Sequence, residues 1–265
     1  MKSQKRSYSS RVLKAGALLD ETKTLLSVWD EFASTVNNIA RFQQENILGK
    51  ASRSRANDIL MAFRQRYLVD ERVKRSLILL VKGRCPTESI NCILYFHTAM
   101  SDLLIHDFAA DFVSGKFRKG MQSISVDETT EWIKKNISAG KTVSPWSDNT
   151  IERAARGLMS ALRDFGMLKG LKNKQTSAIY VPVGAFCYIA FYLHLLGLSG
   201  KSLLESPEWR LFLLEAQDVE RLFIDAHQMH LLEYRAAGSV IRIDFPDETL
   251  EEYSRVILER EHRDA

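Results

Sequence analysis

No Asp, Glu, Lys or Arg occurs from Gln175 to Gly200, and the residues from Val181 to Leu198 are largely apolar. Such a segment must be hidden from water, either in a bilayer or inside a protein core. Crossing a bilayer takes about 20 continuous apolar residues, enough for roughly 30 Å. Here Pro182 and Gly184 interrupt the start and Gly197 marks the end. The helix left between them has about 13 residues, or roughly 20 Å at 1.5 Å per residue. Tyr188, Tyr192 and His194 within it also need polar partners. The segment therefore reads as a buried core helix of a protein outside the membrane.

The rest of the chain reads as further helices. Only 13 glycines and 5 prolines punctuate 265 residues, which disfavours a many-stranded sandwich or barrel. The expected fold is mainly α and multi-helical, with helix-turn-helix or winged-helix-like elements and one or two small β-hairpins. Amphipathic helices are expected over the first forty residues, up to about Ile47, from about Ser52 through Tyr67, near 71–82, and near 88–113 after Pro86. The stretch from Ser114 to Ser123 holds Gly115 and Gly120 among Lys116, Arg118 and Lys119 and reads as an exposed loop. This divides the chain into a basic N-terminal helical domain (1–113), a linker (114–124) and a winged-helix-like C-terminal domain (125–265) with an acidic last helix.

The formal charge of +4 conceals an asymmetry. Residues 41–84 hold 11 basic and 4 acidic side chains, residues 145–180 hold 6 and 3, and residues 181–265 hold 8 and 15. Concentrated positive charge suits a polyanionic partner, although solvated helix faces produce the same statistic. Cys85, Cys92 and Cys187 are odd in number and unpaired in spacing, so neither a disulfide framework nor a zinc site is indicated. No apolar signal core follows the basic residues Lys2, Lys5 and Arg6. The expected compartment is the reducing cytoplasm.

The most informative stretch starts at Pro145. Ser147 or Asp148 can cap a helix running to about Phe165, and Gly166 can close it. Ile151, Ala154, Ala155, Leu158, Leu162 and Phe165 share its apolar face. Asn149, Arg153, Arg156, Ser160 and Arg163 share the opposite face, with Glu152 and Asp164 at its edges. A hairpin is expected next, with strands from Met167 to Leu171 and from Thr176 to Val181, and Lys172, Asn173 and Lys174 at its tip. Helices followed by a hairpin are the order of a winged helix, whose recognition helix enters the major groove. Arginines on an exposed helix face can reach guanine edges or phosphates bidentately. Lysines on a wing tip suit backbone contact, so Lys172 and Lys174 join the candidates. The plainer alternative is a solvated helix followed by a structural hairpin.

A second candidate lies around Gly49, where helix, glycine-containing turn and helix resemble a helix-turn-helix. Arg53, Arg55 and Arg64 are candidate DNA contacts there, with Arg66 beside them. Arg53 and Arg64 fall on one flank of the apolar stripe, and Arg55 and Arg66 on the other, where their stems can simply cover the core edge. Helix and hairpin recur from Gln217 to Phe245 with an acidic helix, which suits packing or protein contact.

Signals of catalysis are weak. His106-Asp107 with His97 matches the histidine–aspartate pair of metal-dependent phosphohydrolases. However, the nine-residue spacing points the two histidines to opposite faces of one helix, and no further set completes a site. They read instead as surface or helix-capping residues. His227 and His230 lack a third ligand nearby. No phosphate-binding glycine loop, nucleophile elbow or dinucleotide fingerprint is present. The reading is a protein that is not an enzyme, with no cofactor, metal or small-molecule substrate.

Short motifs spread over nearly the whole chain carry a family resemblance. They are Tyr8-Ser9-Ser10, Glu45-Asn46 before Gly49-Lys50, Arg53, Arg66-Tyr67, Trp146-Ser147, and Arg163-Asp164-Phe165-Gly166. Trp209-Arg210-x-Phe212-Leu213 and Ala237-Gly238-Ser239 complete the set. In this order the chain resembles the BrxA family of the BREX bacteriophage-exclusion systems. The resemblance implies a non-catalytic component that binds double-stranded DNA and works beside other BREX proteins. It also implies a mostly helical fold, likened to that of the NusB RNA-binding antitermination proteins. It assigns no contact residues, so the arginines above rest on helical geometry alone. The rival readings are a scaffold subunit that binds partner proteins and an RNA-binding protein.

Overall fold

A computed structural model describes residues 7–170, 174–176, 180–238 and 240–263. The uncharged stretch folds as the 13-residue helix Val183–Leu195, which starts after Pro182 and is buried over most of its surface. No helix among the described residues is long and apolar enough to cross a membrane. Its polar groups are satisfied by protein: Tyr188 Oη lies 3.0 Å from His97 Nε2, and His194 Nδ1 lies 3.0 Å from the Leu198 carbonyl.

In chain order a 3-10 turn (Ser10–Leu13) precedes α1 (Leu19–Ser27), α2 (Thr35–Gln44), α3 (Arg53–Tyr67), α4 (Glu71–Lys82) and α5 (Thr87–Ser101). Asp102 then leaves the helical conformation and caps α6 (Leu103–Asp107) by accepting the Leu104 and Ile105 N–H groups. A π-helical turn (Phe108–Val113) continues into α7 (Ser114–Arg118). Residues 114–118, expected as loop, are therefore the end of a helical run that Gly115 does not interrupt. The expected loop gives way to β1 (Ser123–Ile124), followed by α8 (Val126–Ser138) and α9 (Asp148–Asp164). Next come β2 (Leu168–Lys169), β3 (Lys174–Thr176), α10 (the uncharged helix), α11 (Gly200–Leu204) and a 3-10 turn (Pro207–Phe212). α12 (Ala216–Gln228), β4 (Glu233–Ala237), β5 (Val240–Asp244) and α13 (Leu250–Arg263) complete the chain.

The fold is mainly helical with two small antiparallel sheets. The first has the order β1-β3-β2, with Ile124 opposite Lys174 and Leu168 opposite Thr176. The second is the β4-β5 hairpin, with Ala237 opposite Val240. The main hydrophobic core draws on residues from Tyr8 to Leu258, so the two halves share an interior, and a smaller cluster joins Ala15 and Leu18 to Ile59 and Ala62 of α3. α10 lies within it against α5, α12 and α13. At Gly184 the approach to α13 is close: a methyl group there would sit 2.8 Å from the Glu261 carboxyl carbon and 3.0 Å from Ile257 Cγ2.

A polar network ties the N-terminal segment to this core. The Tyr8 hydroxyl donates to Asp107 Oδ2 at 2.8 Å, and Lys141 Nζ reaches the same oxygen at 2.7 Å. His106 lies between Asp107 Oδ1 at 3.2 Å and Glu208 Oε2 at 2.8 Å. The Tyr8 N–H donates to the Lys141 carbonyl at 2.7 Å, and the Tyr8 ring stacks on Trp132. Burial opposes the charge on Asp107, but hydrogen bonds from His106, Lys141 and Tyr8 outweigh it and hold its pKa down at about 2. The bonds to Asp107 and then Glu208 push His106 up to about 9.

Two measurements check this description. The folded chain keeps the His106 proton to a higher pH than the unfolded chain does. The resulting stabilisation is complete below 6.5 and is lost as pH rises through about 9. Urea unfolding should show stability falling by on the order of 2 kcal/mol across that window. His106→Gln should flatten the fall, and an unchanged slope would refute the assignment. Separately, Gly184→Ala should cost about 1–3 kcal/mol in the same assay through overpacking between α10 and α13.

Candidate nucleic-acid interface

α9 forms where the sequence provides both of its ends. Ser147 Oγ accepts the Thr150 N–H at 3.3 Å. At the other end Gly166 takes a positive φ of 83°. There the Met167 N–H reaches the Leu162 carbonyl at 2.8 Å and the Gly166 N–H reaches the Arg163 carbonyl at 2.9 Å, a closure that favours glycine. Ile151, Ala154, Ala155, Leu158, Met159, Ala161 and Leu162 are buried. The opposite face is open, with Asn149, Arg153 and Arg156 exposed and Ser160 and Arg163 half-buried.

The three arginines of that face differ in their engagement. Arg156 is paired with Glu152 at 2.6 Å. Arg163 is paired with Asp164 at 2.6 Å and touches Ser160 Oγ at 3.3 Å. Arg153 makes no hydrogen bond or ion pair among the described residues. Both pairs are solvent-accessible and of the kind worth about 0–1 kcal/mol, so a phosphate can compete for either guanidinium.

The hairpin differs in part from its expected form. Lys172 and Asn173 lie outside the described residues. Lys174, expected at an exposed tip, is instead only 6% exposed and begins β3. The reason is topological: β1 pairs with the far edge of β3 and makes it the central strand. Lys174 Nζ lies 3.3 Å from the Gly170 carbonyl. Burial, and then the nearby Arg163 charge, lower its pKa. A lysine so placed is a strut of the sheet, and Lys169 on β2 is the exposed cation nearby.

Around α3 the structure separates the four arginines along the two flanks. Arg53 and Arg64 are exposed and make no ion pair among the described residues. Arg55 donates to the Lys14 carbonyl. Arg66 donates to the Gly16 carbonyl at 2.9 Å, to the Ala17 carbonyl at 3.2 Å, and to the Ala15 carbonyl. These two side chains hold the N-terminal segment, which leaves Arg55 a poor candidate for a mobile phosphate contact. The α2–α3 connection spans residues 45–52, longer than the roughly three or four residues of a tight helix-turn-helix. It is closed by Asn46, whose side chain bonds both the N–H and the carbonyl of Lys50.

Much of the positive charge in residues 41–84 is balanced locally. Lys50 pairs with Glu21, Arg72 with Asp70, Lys74 and Arg75 with Glu71, and Lys82 with Glu31. The histidines have structural surroundings. His97, expected at the surface or a cap, is 3% exposed, and burial pushes its pKa down to about 3. Among the described residues no group of three or more His, Cys, Asp or Glu side chains is placed to hold a metal ion. Two cations that periodicity did not single out, Arg11 and Lys14, are exposed on the N-terminal segment. That segment has too few residues in regular structure for a helical-face argument to find them.

Known structures with this architecture include an uncharacterized protein from Magnetospirillum magneticum, at a TM-score of 0.55 and 16% identity. That match covers 78% of this chain and 98% of the other. The crystal structure of an SspB matches at a TM-score of 0.59 and 10% identity, covering 96% of this chain and 91% of the other. At such identities the likeness concerns the fold alone. No curated protein matches the chain. The BrxA family model matches residues 6–191. With that span of its 265 residues matched, the chain belongs to the BrxA family and is a component of a BREX phage-defence system.

Proposed function

We propose that this BREX component binds double-stranded DNA in the cytoplasm without catalysing a reaction, and that the outward face of α9 is its principal contact. The observation that carries the reading is the exposed Arg153, without an ion pair among the described residues, on a rigid polar helix face. The order β1, α8, α9, β2, β3, with the sheet arranged β1-β3-β2, is that of a winged helix. In that geometry α9 enters the major groove. Arg153, Asn149 and Arg156 then reach base edges or phosphates, while Lys169 and the hairpin lie along the backbone. Arg163 and Ser160, further along the same face, contact the flanking phosphates.

Fluorescence anisotropy with labelled duplex DNA tests the reading. Three to six phosphate contacts give a salt slope of roughly −3 to −5. Arg153→Ala/Arg156→Ala should weaken binding by about 10- to 100-fold, at 1–3 kcal/mol for a good bidentate contact. Glu152→Gln frees Arg156 and removes a nearby negative charge, and should tighten binding by about two- to five-fold. Preference for single-stranded DNA or duplex RNA as competitor would favour a different nucleic acid. Absence of duplex binding at low salt would leave a protein-binding scaffold as the function.

A further inference from the structure

The N-terminal segment lies between the two arginine-bearing helices. On one side it meets α9, where a methyl group placed on Gly157 would sit 3.4 Å from the Val12 carbonyl oxygen. On the other it meets α3, whose Arg55 donates to the Lys14 carbonyl. Val12 and Lys14 are two residues apart, so their carbonyls are separated by at most about 7 Å. The Arg55 guanidinium and the middle of α9 therefore lie within roughly 14 Å of each other, close to the width of about 12 Å of one major groove.

The segment brings its own cations to this junction. Arg11 is exposed and its side chain makes no hydrogen bond or ion pair among the described residues. It opens onto a cleft of 760 Å³ that also presents Ser7 and Gln65 as donors. Of the nearby acids, Asp70 is neutralised by Arg72 at 2.7 Å, and Asp102, which feels the Arg11 charge, is engaged by the Leu104 and Ile105 N–H groups. Lys14 is exposed and touches Asp58 at 3.3 Å, an exposed pair that a phosphate can displace at a cost of about 1 kcal/mol or less.

We infer that the N-terminal segment joins α3 and α9 into one duplex-binding surface, with Arg11 and Lys14 contacting the phosphates that flank the groove entered by α9. The inference rests on the duplex-binding reading of α9. A single duplex then meets Arg153 and Arg156 in its groove, Arg11 and Lys14 on its flank, and Arg53 at the start of α3 beyond them. The segment acts as a spacer whose position is set by Tyr8 on Asp107.

The test uses the full chain and a duplex of about 15 base pairs. Arg11→Ala/Lys14→Ala should lower affinity about 10- to 50-fold at 0.1 M salt and make the salt slope shallower by roughly 1.8, as expected for two lost phosphate contacts. The charge-preserving Arg11→Lys/Lys14→Arg should retain the parent slope, and matching thermal melts exclude misfolding as the cause. One duplex should bind per chain. If Arg153→Ala/Arg156→Ala weakens binding while Arg11→Ala/Lys14→Ala changes neither affinity nor slope, this inference falls and the function stands. Two duplexes per chain would also overturn it. No binding by the parent protein would remove both.

Discussion

The Asp107 carboxylate receives Tyr8, His106 and Lys141, three groups from well-separated parts of the chain. A buried carboxylate is costly unless its lone pairs are filled, and here each oxygen has at least one donor. The arrangement fixes the N-terminal segment to the end of α6 and to the connection between α8 and α9. Beyond that anchor the segment is held by the buried side chains of Val12, Ala15, Ala17 and Leu18. The positions of Val12 against Gly157 and of the Ala15–Ala17 carbonyls against Arg66 follow from it.

The same segment explains why charge counting overstates the basic surface. Arg55 and Arg66 are engaged by backbone carbonyls, a use of guanidinium that depends on its planar set of donors. Five other cations in residues 41–84 are held by nearby carboxylates. Among the described residues, the exposed cations without an ion pair include Arg11, Arg53, Arg64, Arg84, Arg153 and Lys169, distributed over elements that are far apart in sequence. Electrostatic attraction at long range is governed by the sum of charges, but specific contact is governed by this remainder.

The helices were legible because their signals are local. Ser147 and Gly166 bracket α9, Pro182 and Gly197 bracket α10, and the 3.6-residue period of Ile59, Leu60, Phe63 and Tyr67 marks the buried face of α3. The open face of α9 follows from the same period. The loop reading of residues 114–118 failed because Gly115, although a poor helix former, sits inside the last turns of a continuous helical run. Lys174 was read as exposed because a hairpin taken alone has two free edges. The third strand that buries it comes from before α8.

The sequence by itself determined most of the helical segments, the apolar face of α3 and of α9, and that the uncharged stretch belongs inside the protein. These properties depend on residues within about ten positions of one another. Tertiary structure alone decided that β1 completes the sheet, that His97 lies in the core, and that the arginines of α3 divide into two structural and two exposed. It alone decided, too, that α3 and α9 flank one N-terminal segment. Each of these depends on a contact across about forty residues or more, such as Arg55 with Lys14 or Tyr8 with Asp107. Local periodicity carries no information about which distant partner satisfies a given polar group.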